Sequence, residues 1–538
     1  MAIPVRVALL IVALVALAWD ARRPRAGPRA GLLLVSALAV GEIAFVLALW
    51  SRHRGFPLYL EIMEGAVVQH VERLLAGAPL YAEPSPDFVP FAYNPLYYVL
   101  CAPLVRAFGA HVAVLRGFSI VGAVAASVLV FEVVARRSGS RWRALVAVGL
   151  FAAAYEAMDA YLDTAHGDTW LLVAILTGTA LVEAGVGEAR GAGPVSRRSA
   201  RVLRVLGVAV LCAGFWIKQH GALFVLGALS YVWLRMGPRR SIAELAVAAL
   251  AGPIAYGWLG PRVFGPWLHF YTWTVPRSWS SLELTTFTRL FAYLARYVPL
   301  LALAAAAGWV ETMRRAHARL DLWQTQGLVA LGAGAMGALD AGGNDNVFIP
   351  LATFAIVVGV SELPRLELLP ERWRRHAEPL VLAASFAALL YDPRHVWTSM
   401  RAEDAYADLT ALVADLPGPV FAPDLGPTDG VTRFQPPLTW VAIEDLVRGP
   451  RGPALDPARV RALLTPVAEP PGPAFILASR PLERRTSLAP LLDRYRLVAD
   501  FGQRFVALRT QPMRCGRLYP RYLYRWEGAS APAPRNHS

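Results

Sequence analysis

The 538-residue sequence is poor in cysteine, in charge and, most of all, in lysine. Its three cysteines, Cys101, Cys212 and Cys515, are too few and too scattered for a disulfide framework or a zinc site. Charged residues make up 17%, against roughly 25% in soluble domains. Hydrophobic residues reach 56% and mean hydropathy is +0.42. A soluble chain could not bury that much apolar surface, and intrinsic disorder and collagen-like repeats are excluded with it. There is no Gly-x-x-x-x-Gly-Lys phosphate loop, no nucleophile elbow and no solenoid repeat. Among 53 basic residues Lys218 is the only lysine. Such replacement of Lys by Arg, with abundant Ala, Gly and Pro, fits a GC-rich bacterial genome. The net charge of +14 therefore does not point to nucleic acid.

What the chain does have is apolar runs of the length that crosses a bilayer, about 17–25 residues. They fall at 3–19, 30–50, 112–135, 144–160, 169–185, 202–218, 220–235, 241–259, 291–311, 323–340, 346–362 and 377–391. This predicts an all-α polytopic membrane protein of about 12 transmembrane helices. The piece 91–109, broken by Pro95 and Pro103, reads as juxtamembrane or re-entrant. Arginine clusters occupy the connections 20–29, 136–143, 190–204, 235–240, 312–321 and 365–375, all on one side of that layout. Short Arg-rich loops stay cytoplasmic. Both termini and the long loops 51–111 and 260–290 are then expected outside, in a bacterial cytoplasmic (inner) membrane. Ala16-Leu17-Ala18 also resembles a signal-peptide cleavage site, but cleavage would leave Arg22 to Arg29 outside, so a retained first helix is expected.

Residues 1–391 form the expected membrane domain, and 392–538, rich in Pro, Arg and Asp, a small extracytoplasmic α/β domain. Leu409, Leu412, Val413 and Leu416 mark an amphipathic helix, and Asp456 suits the cap of another over 457–465. Short apolar runs at Val420–Ala422, Ala474–Ala478, Leu497–Phe501 and Phe505–Leu508 read as strands. Cys515 is expected to be unpaired.

The polar residues that could carry chemistry gather at outer helix ends. Residues 59–76 suit a helix on the outer face, on which Glu61 and Glu64 share a side at i and i+3. Paired carboxylates at an interface can raise a pKa and make a general base; they also suit a solvated helix face. Asp163, His166 and Asp168 lie in YLDTAHGDTW, an outer connection without Arg or Lys. They are weak candidates for a divalent metal, and Asp168 equally suits a cap for the helix from Thr169. Trp216-Ile217-Lys218-Gln219-His220 sits at an outer turn, where the lone ammonium either snorkels to headgroups or meets a phosphate with His220 assisting. The loop 260–290 carries Trp267, His269, Tyr271, Trp273, Arg277 and Trp279. These suit an interfacial aromatic belt, a sugar-stacking surface or a lid. AGGNDNVFIPL places Asp340, Asn344, Asp345 and Asn346 at another outer turn.

MEGAVVQHVERLLAGAPLY, AYNPLYYVL (with Tyr93), HGDTWLLVAILTGTAL, WIKQHGALF and GGNDNVFIPL together resemble the GT-C superfamily of membrane glycosyltransferases. The group meant includes the dolichyl-phosphate-mannose protein mannosyltransferases and the lipid A aminoarabinose transferase. The resemblance spans roughly residues 30–391. It implies inverting transfer of a sugar from a polyprenyl-phosphate donor to a glycan, lipid or protein acceptor outside the cytoplasm. The family's base maps onto Glu64 first and Glu61 second, its second acid onto Asp168, and its donor-facing basic position onto Lys218 with Gln219. Many relatives carry an adjacent Asp-Glu where this chain splits Glu61 and Glu64. Arg52, Arg54 and Arg277 are further cations for the departing phosphate, and Tyr93, Asp163, His166, His220 and Asn346 complete the substrate-binding candidates. A lipid-linked glycan transporter or flippase, or a non-catalytic envelope-assembly protein, would share much of this pattern. The concentration of polar groups at outer helix ends, rather than at mid-membrane, favours surface chemistry over transport.

Overall fold

The computed structural model describes residues 2–22, 29–189, 197–281, 283–314, 319–340, 342–363, 371–428, 430–482, 493–512 and 516–528. Cys515 and parts of the 20–29, 190–204, 312–321 and 365–375 connections lie outside these described residues.

The helices follow in order: α1 (Ala2–Ala21), α2 (Arg29–Arg54), α3 (Glu64–Leu75), α4 (Leu96–Phe108), α5 (Val112–Ser138), α6 (Arg141–Ala153), α7 (Asp168–Ala189), α8 (Arg197–Ile217) and α9 (Gly221–Met236). After them come α10 (Ile242–Ala249), α11 (Gly260–Phe264), α12 (Val275–Trp279), α13 (Leu284–Tyr297), α14 (Pro299–Arg314), α15 (Leu322–Ala338), α16 (Ile349–Glu362) and α17 (Glu371–Leu389). Each expected span contains a helix. Among the described residues, six segments are long and apolar enough to cross a membrane as one piece: Arg29–Arg54, Val112–Ser138, Asp168–Gly187, Arg198–Ile217, Ile242–Phe264 and Asp345–Glu362.

Several expected elements are altered for local reasons. The span at 291–311 is a bent pair, Phe287–Tyr297 and Pro299–Arg314, turning by 103°. Pro299 drives its predecessor out of the helical region, and Val298 sits at φ −132°, ψ 37°. The span at 144–160 stops at Ala153, and single turns follow because Asp159 and Ala160 adopt left-handed backbone at φ 55° and 57°. Between α10 and α11 the chain winds as a π-helix over Leu250–Leu259 around Pro253. Helices α7 and α8 meet at backbone contact, where a Cβ on Gly178 would stand 2.8 Å from the Gly207 carbonyl oxygen. Small residues at that crossing let the two helices close on each other.

After α17 come α18 (Ala402–Asp415), α19 (Trp440–Asp445) and α20 (Pro457–Leu463). Strands β1 (Val420–Phe421), β2 (Phe475–Ala478), β3 (Tyr495–Asp500) and β4 (Tyr522–Trp526) form one sheet in the order β1-β2-β4-β3. β1 and β2 are parallel, while β4 runs antiparallel to both β2 and β3. Leu409 and Val413 are buried on α18, and Asp456 caps α20 through the Ala458 N–H at 2.7 Å. Phe505–Leu508 is not a strand: Val506–Leu508 forms a 3-10 turn, and Tyr522–Trp526 supplies the fourth strand instead.

One buried ion pair fixes the end of the helical body at which α3 begins. Arg116 of α5 is fully buried. Its Nε donates to Glu64 Oε1 at 3.0 Å and its Nη2 to Glu64 Oε2 at 2.6 Å. The same guanidinium donates to the carbonyls of His53, Phe56 and Leu58 at 3.2, 2.7 and 2.6 Å. Glu64 in turn accepts from the N–H groups of Leu60 at 2.7 Å and Ala165 at 2.9 Å. Residues 59–63 are thereby folded into a turn, and the helix expected over 59–76 begins only at Glu64. The C-terminal chain joins this cluster: Gln511 N–H donates to the Leu60 carbonyl at 2.8 Å. Its side-chain amide donates to Val396 O at 2.9 Å and lies 3.2 Å from His53 Nε2.

Removing one partner of a buried ion pair leaves the other uncompensated, a loss of about 3–5 kcal/mol. Arg116→Met is expected to lower the thermal unfolding midpoint of detergent-solubilised protein markedly. Arg116→Met/Glu64→Leu, which leaves no buried charge, is expected to recover part of it. A single variant that melts with wild type would contradict the role given to the pair.

Candidate active site

Four interhelical turns, α12 and the C-terminal unit surround one cavity of about 860 Å³. The turn before α3 brings Glu61 to its wall, and the segment before α4 brings Tyr93. The α8–α9 turn contributes Lys218, Gln219 and His220, α12 contributes Arg277 and Trp279, and the turn after α15 contributes Asp340 and Asn346. From the C-terminal unit come Trp440, Asp445 and Arg448. Residues up to 387 positions apart thus meet because span ends gather at one face (Glu61 to Arg448).

Most ionic groups here are already paired. Glu61 is 1% exposed; its Oε2 lies 3.0 Å from His166 Nε2 and accepts the Met63 N–H at 2.8 Å. Its Oε1 has no hydrogen-bond partner among the described residues. The His166 ring is bracketed by Tyr93, edge-on at 5.9 Å, and Tyr161 at 5.2 Å. Lys218 Nζ donates to Asp168 Oδ1 at 2.7 Å and sits 5.2 Å from the Tyr93 ring centroid. Asn346 approaches the second Asp168 oxygen at 3.4 Å. Gln219 is spent on backbone, donating to the Ala92 and Thr272 carbonyls at 2.6 and 3.2 Å. His220 Nε2 is buried without a partner among the described residues. Arg277 is exposed in the cavity wall and makes no ion pair among the described residues.

At the far wall Arg448 stands 3.0 Å from Asp445 Oδ1, short of hydrogen-bond alignment, and 3.5 Å from Asp340 Oδ1. Its guanidinium lies over the Trp279 ring at 4.5 Å, and Trp279 donates to the Asp445 carbonyl at 2.8 Å.

No protein-family profile matches the sequence, and no curated protein matches it. Among solved structures, ArnT from Cupriavidus metallidurans bound to undecaprenyl phosphate superposes with a TM-score of 0.51 at 13% identity, over 92% of this chain and 99% of that one. Its apo form gives 0.50 at 14% identity, over 90% and 97%. This is the GT-C fold. The arabinosyltransferase EmbB from Mycobacterium smegmatis is similar at a TM-score of 0.33 and 14% identity, over 70% of this chain and 32% of that one.

Within the GT-C fold the expected residues do not all play equal parts. Glu64 is consumed by Arg116 and does not line the cavity, whereas Glu61 does. Asp163, His166 and Asp168 do not converge as metal ligands. Asp163 goes to His53 at 2.7 Å and Tyr155 at 2.6 Å, His166 to Glu61, and Asp168 to Lys218. Among the described residues no three such side chains are placed to share a cation. Arg52 faces Thr398, donating to its carbonyl and hydroxyl at 3.1 Å, rather than the cavity. Sequence reasoning missed Arg116, Asp445 and Arg448. An arginine inside an apolar run was the available signal for the first.

Burial, opposed by Arg448 and reinforced by Asp340, pushes the Asp445 carboxyl up to about 7 from 3.8. The sign follows from linkage. Its contribution to stability is fully present below about pH 4 and is lost as pH rises through about 7. Asp445→Asn is therefore expected to flatten the rise in unfolding midpoint that wild type shows between about pH 8 and about pH 5. Parallel pH series in detergent check this, and unchanged pH dependence in the variant would contradict it.

Proposed function

We propose that the chain is an inverting membrane glycosyltransferase with Glu61 as general base. It moves a sugar from a polyprenyl-phosphate donor to a hydroxyl of an extracytoplasmic acceptor. The observation that carries this reading is the state of Glu61. One carboxylate oxygen is held by two contacts and the other is free, on the wall of a cavity that Lys218 and Arg277 also line. The donor class is supported by the fold shared with ArnT, whose structure holds undecaprenyl phosphate. The outer side is supported by the arginine-rich connections, which charge asymmetry assigns to the cytoplasm.

The chemistry follows from where the charges stand. An acceptor hydroxyl attacks the anomeric carbon while Glu61 Oε1 takes its proton, a contribution of about 10²–10⁴-fold. The carbon–oxygen bond to phosphate breaks as the new glycosidic bond forms on the opposite face. The transition state has oxocarbenium character, which neighbouring carboxylates favour. The departing phosphate gains negative charge, and fixed cations aimed at it stabilise that change. Arg277, without an ion-pair partner among the described residues, is the principal cation for this role, and Lys218 adds the protons it does not give to Asp168. His220, on the cavity wall with Nε2 unpartnered among the described residues, is assigned to a sugar hydroxyl. A donor whose tail stays in the bilayer arrives with its phosphate at the depth of these residues, so orientation is supplied before reaction.

Purified protein in liposomes, given a panel of labelled polyprenyl-phosphate sugars with candidate acceptors, tests the proposal through release of polyprenyl phosphate. Glu61→Gln is expected to lower turnover about 10²–10⁴-fold. Arg277→Ala is expected to raise the donor KM about tenfold, the loss of one charged contact. Wild-type turnover by Glu61→Gln would remove Glu61 as base. Lipid scrambling without release from any donor would replace the enzyme reading with transport.

A further inference from the structure

Next to the main cavity is a much smaller space of about 10 Å³, the size that admits one water molecule. Asn94, His166, Lys218 and Tyr97 are among its walls. Three polar atoms on these residues are incompletely used. Asn94 is fully buried; its amide nitrogen donates to the Phe215 carbonyl at 2.6 Å, which fixes the orientation of the amide. Its Oδ1 is left without a partner among the described residues. Lys218 directs one of its three N–H groups to Asp168. His166 meets Glu61 through Nε2, while Nδ1 has no partner among the described residues. His166 is among the walls of this small space and not of the main cavity.

We propose that this space binds a single water molecule that accepts from Lys218 Nζ, donates to Asn94 Oδ1 and donates to His166 Nδ1. Three hydrogen bonds are what buried waters ordinarily make, and the site supplies one donor and two acceptors, the complement of one water. The consequence lies in the histidine. The proton of a neutral imidazole sits on the nitrogen opposite the one that accepts. A water donating to Nδ1 therefore holds the proton on Nε2, aimed at Glu61 Oε2, and keeps Glu61 Oε1 free for the cavity. His166 is thus a positioning residue, and the water joins the Lys218–Asp168 and His166–Glu61 pairs into one network. The catalytic consequence rests on the reading of Glu61 as base; the water site itself does not.

The full-length protein in lipid nanodiscs, imaged at about 2 Å or better, is expected to show density within hydrogen-bond reach of all three atoms. Nitrogen-15 histidine spectra, with His166→Gln used for assignment, are expected to show His166 neutral and protonated at Nε2. In the liposome assay Asn94→Leu, which removes the acceptor at similar volume, is expected to lower kcat about 10- to 100-fold with donor KM unchanged, as misplacement of a base does. An empty space in density that resolves other buried waters would overturn the proposal, as would a His166 protonated at Nδ1. If Asn94→Leu fails to fold, the density and the spectra of the wild type decide. If no donor is turned over, the functional reading fails while those two measurements still judge the water.

Discussion

The cavity end of this molecule depends on a guanidinium buried at the end of an apolar helix. Moving an arginine into the membrane interior costs roughly 2.5–3.5 kcal/mol on insertion scales, so Arg116 persists only because its surroundings answer it. Glu64 supplies the charge and the carbonyls of residues 53, 56 and 58 take the remaining protons. That satisfaction dictates the path of the chain from α2 to α3. It leaves Glu64 no freedom for chemistry and places Glu61, three residues earlier, at the cavity. The Ala165 N–H bound to the same carboxylate sets the turn that delivers His166 to Glu61. One ion pair thus positions both members of the pair proposed to activate the acceptor.

The same economy of charge organises the opposite wall. Lys218 and Asp168, fifty residues apart, meet at 2.7 Å where two span ends converge. Paired in this way, a lysine sits at 6% exposure with its desolvation cost offset by the attraction of Asp168. Arg277 makes no ion pair among the described residues and is exposed in the cavity wall. Paired charges hold the geometry, and Arg277 is the cation proposed for the ligand.

Much of this was legible in the sequence because polar residues within an apolar chain are expensive and therefore localised. The positions of helices, the outer clustering of Glu61, Lys218, Arg277 and Asn346, and three of the four strands follow from that contrast. Partner choice was not legible. The spacing of Glu61 and Glu64 suits a helix face as well as a turn, and only Arg116, 52 residues beyond Glu64, decides between them. The run Phe505–Leu508 is too short for periodicity to separate a strand from a helical turn. In β4, Leu523 and Tyr524 are both buried, so no clean alternation marks the strand. The bend at Pro299 and the early end of α6 were masked because hydropathy averages over local backbone.

The C-terminal unit is the least expected part of the site and has a physical rationale. A cavity at the membrane surface, open to water, would weaken every electrostatic interaction inside it. Residues 440–448 line the cavity with Trp440 and with Arg448 laid over Trp279, and Gln511 fastens the unit to the same loop that Arg116 holds. The wall facing the proposed base is therefore tied to the element that positions the base, so a displacement of one disturbs the other. The contacts that line the cavity and those that hold Glu61 are, in this fold, one connected set.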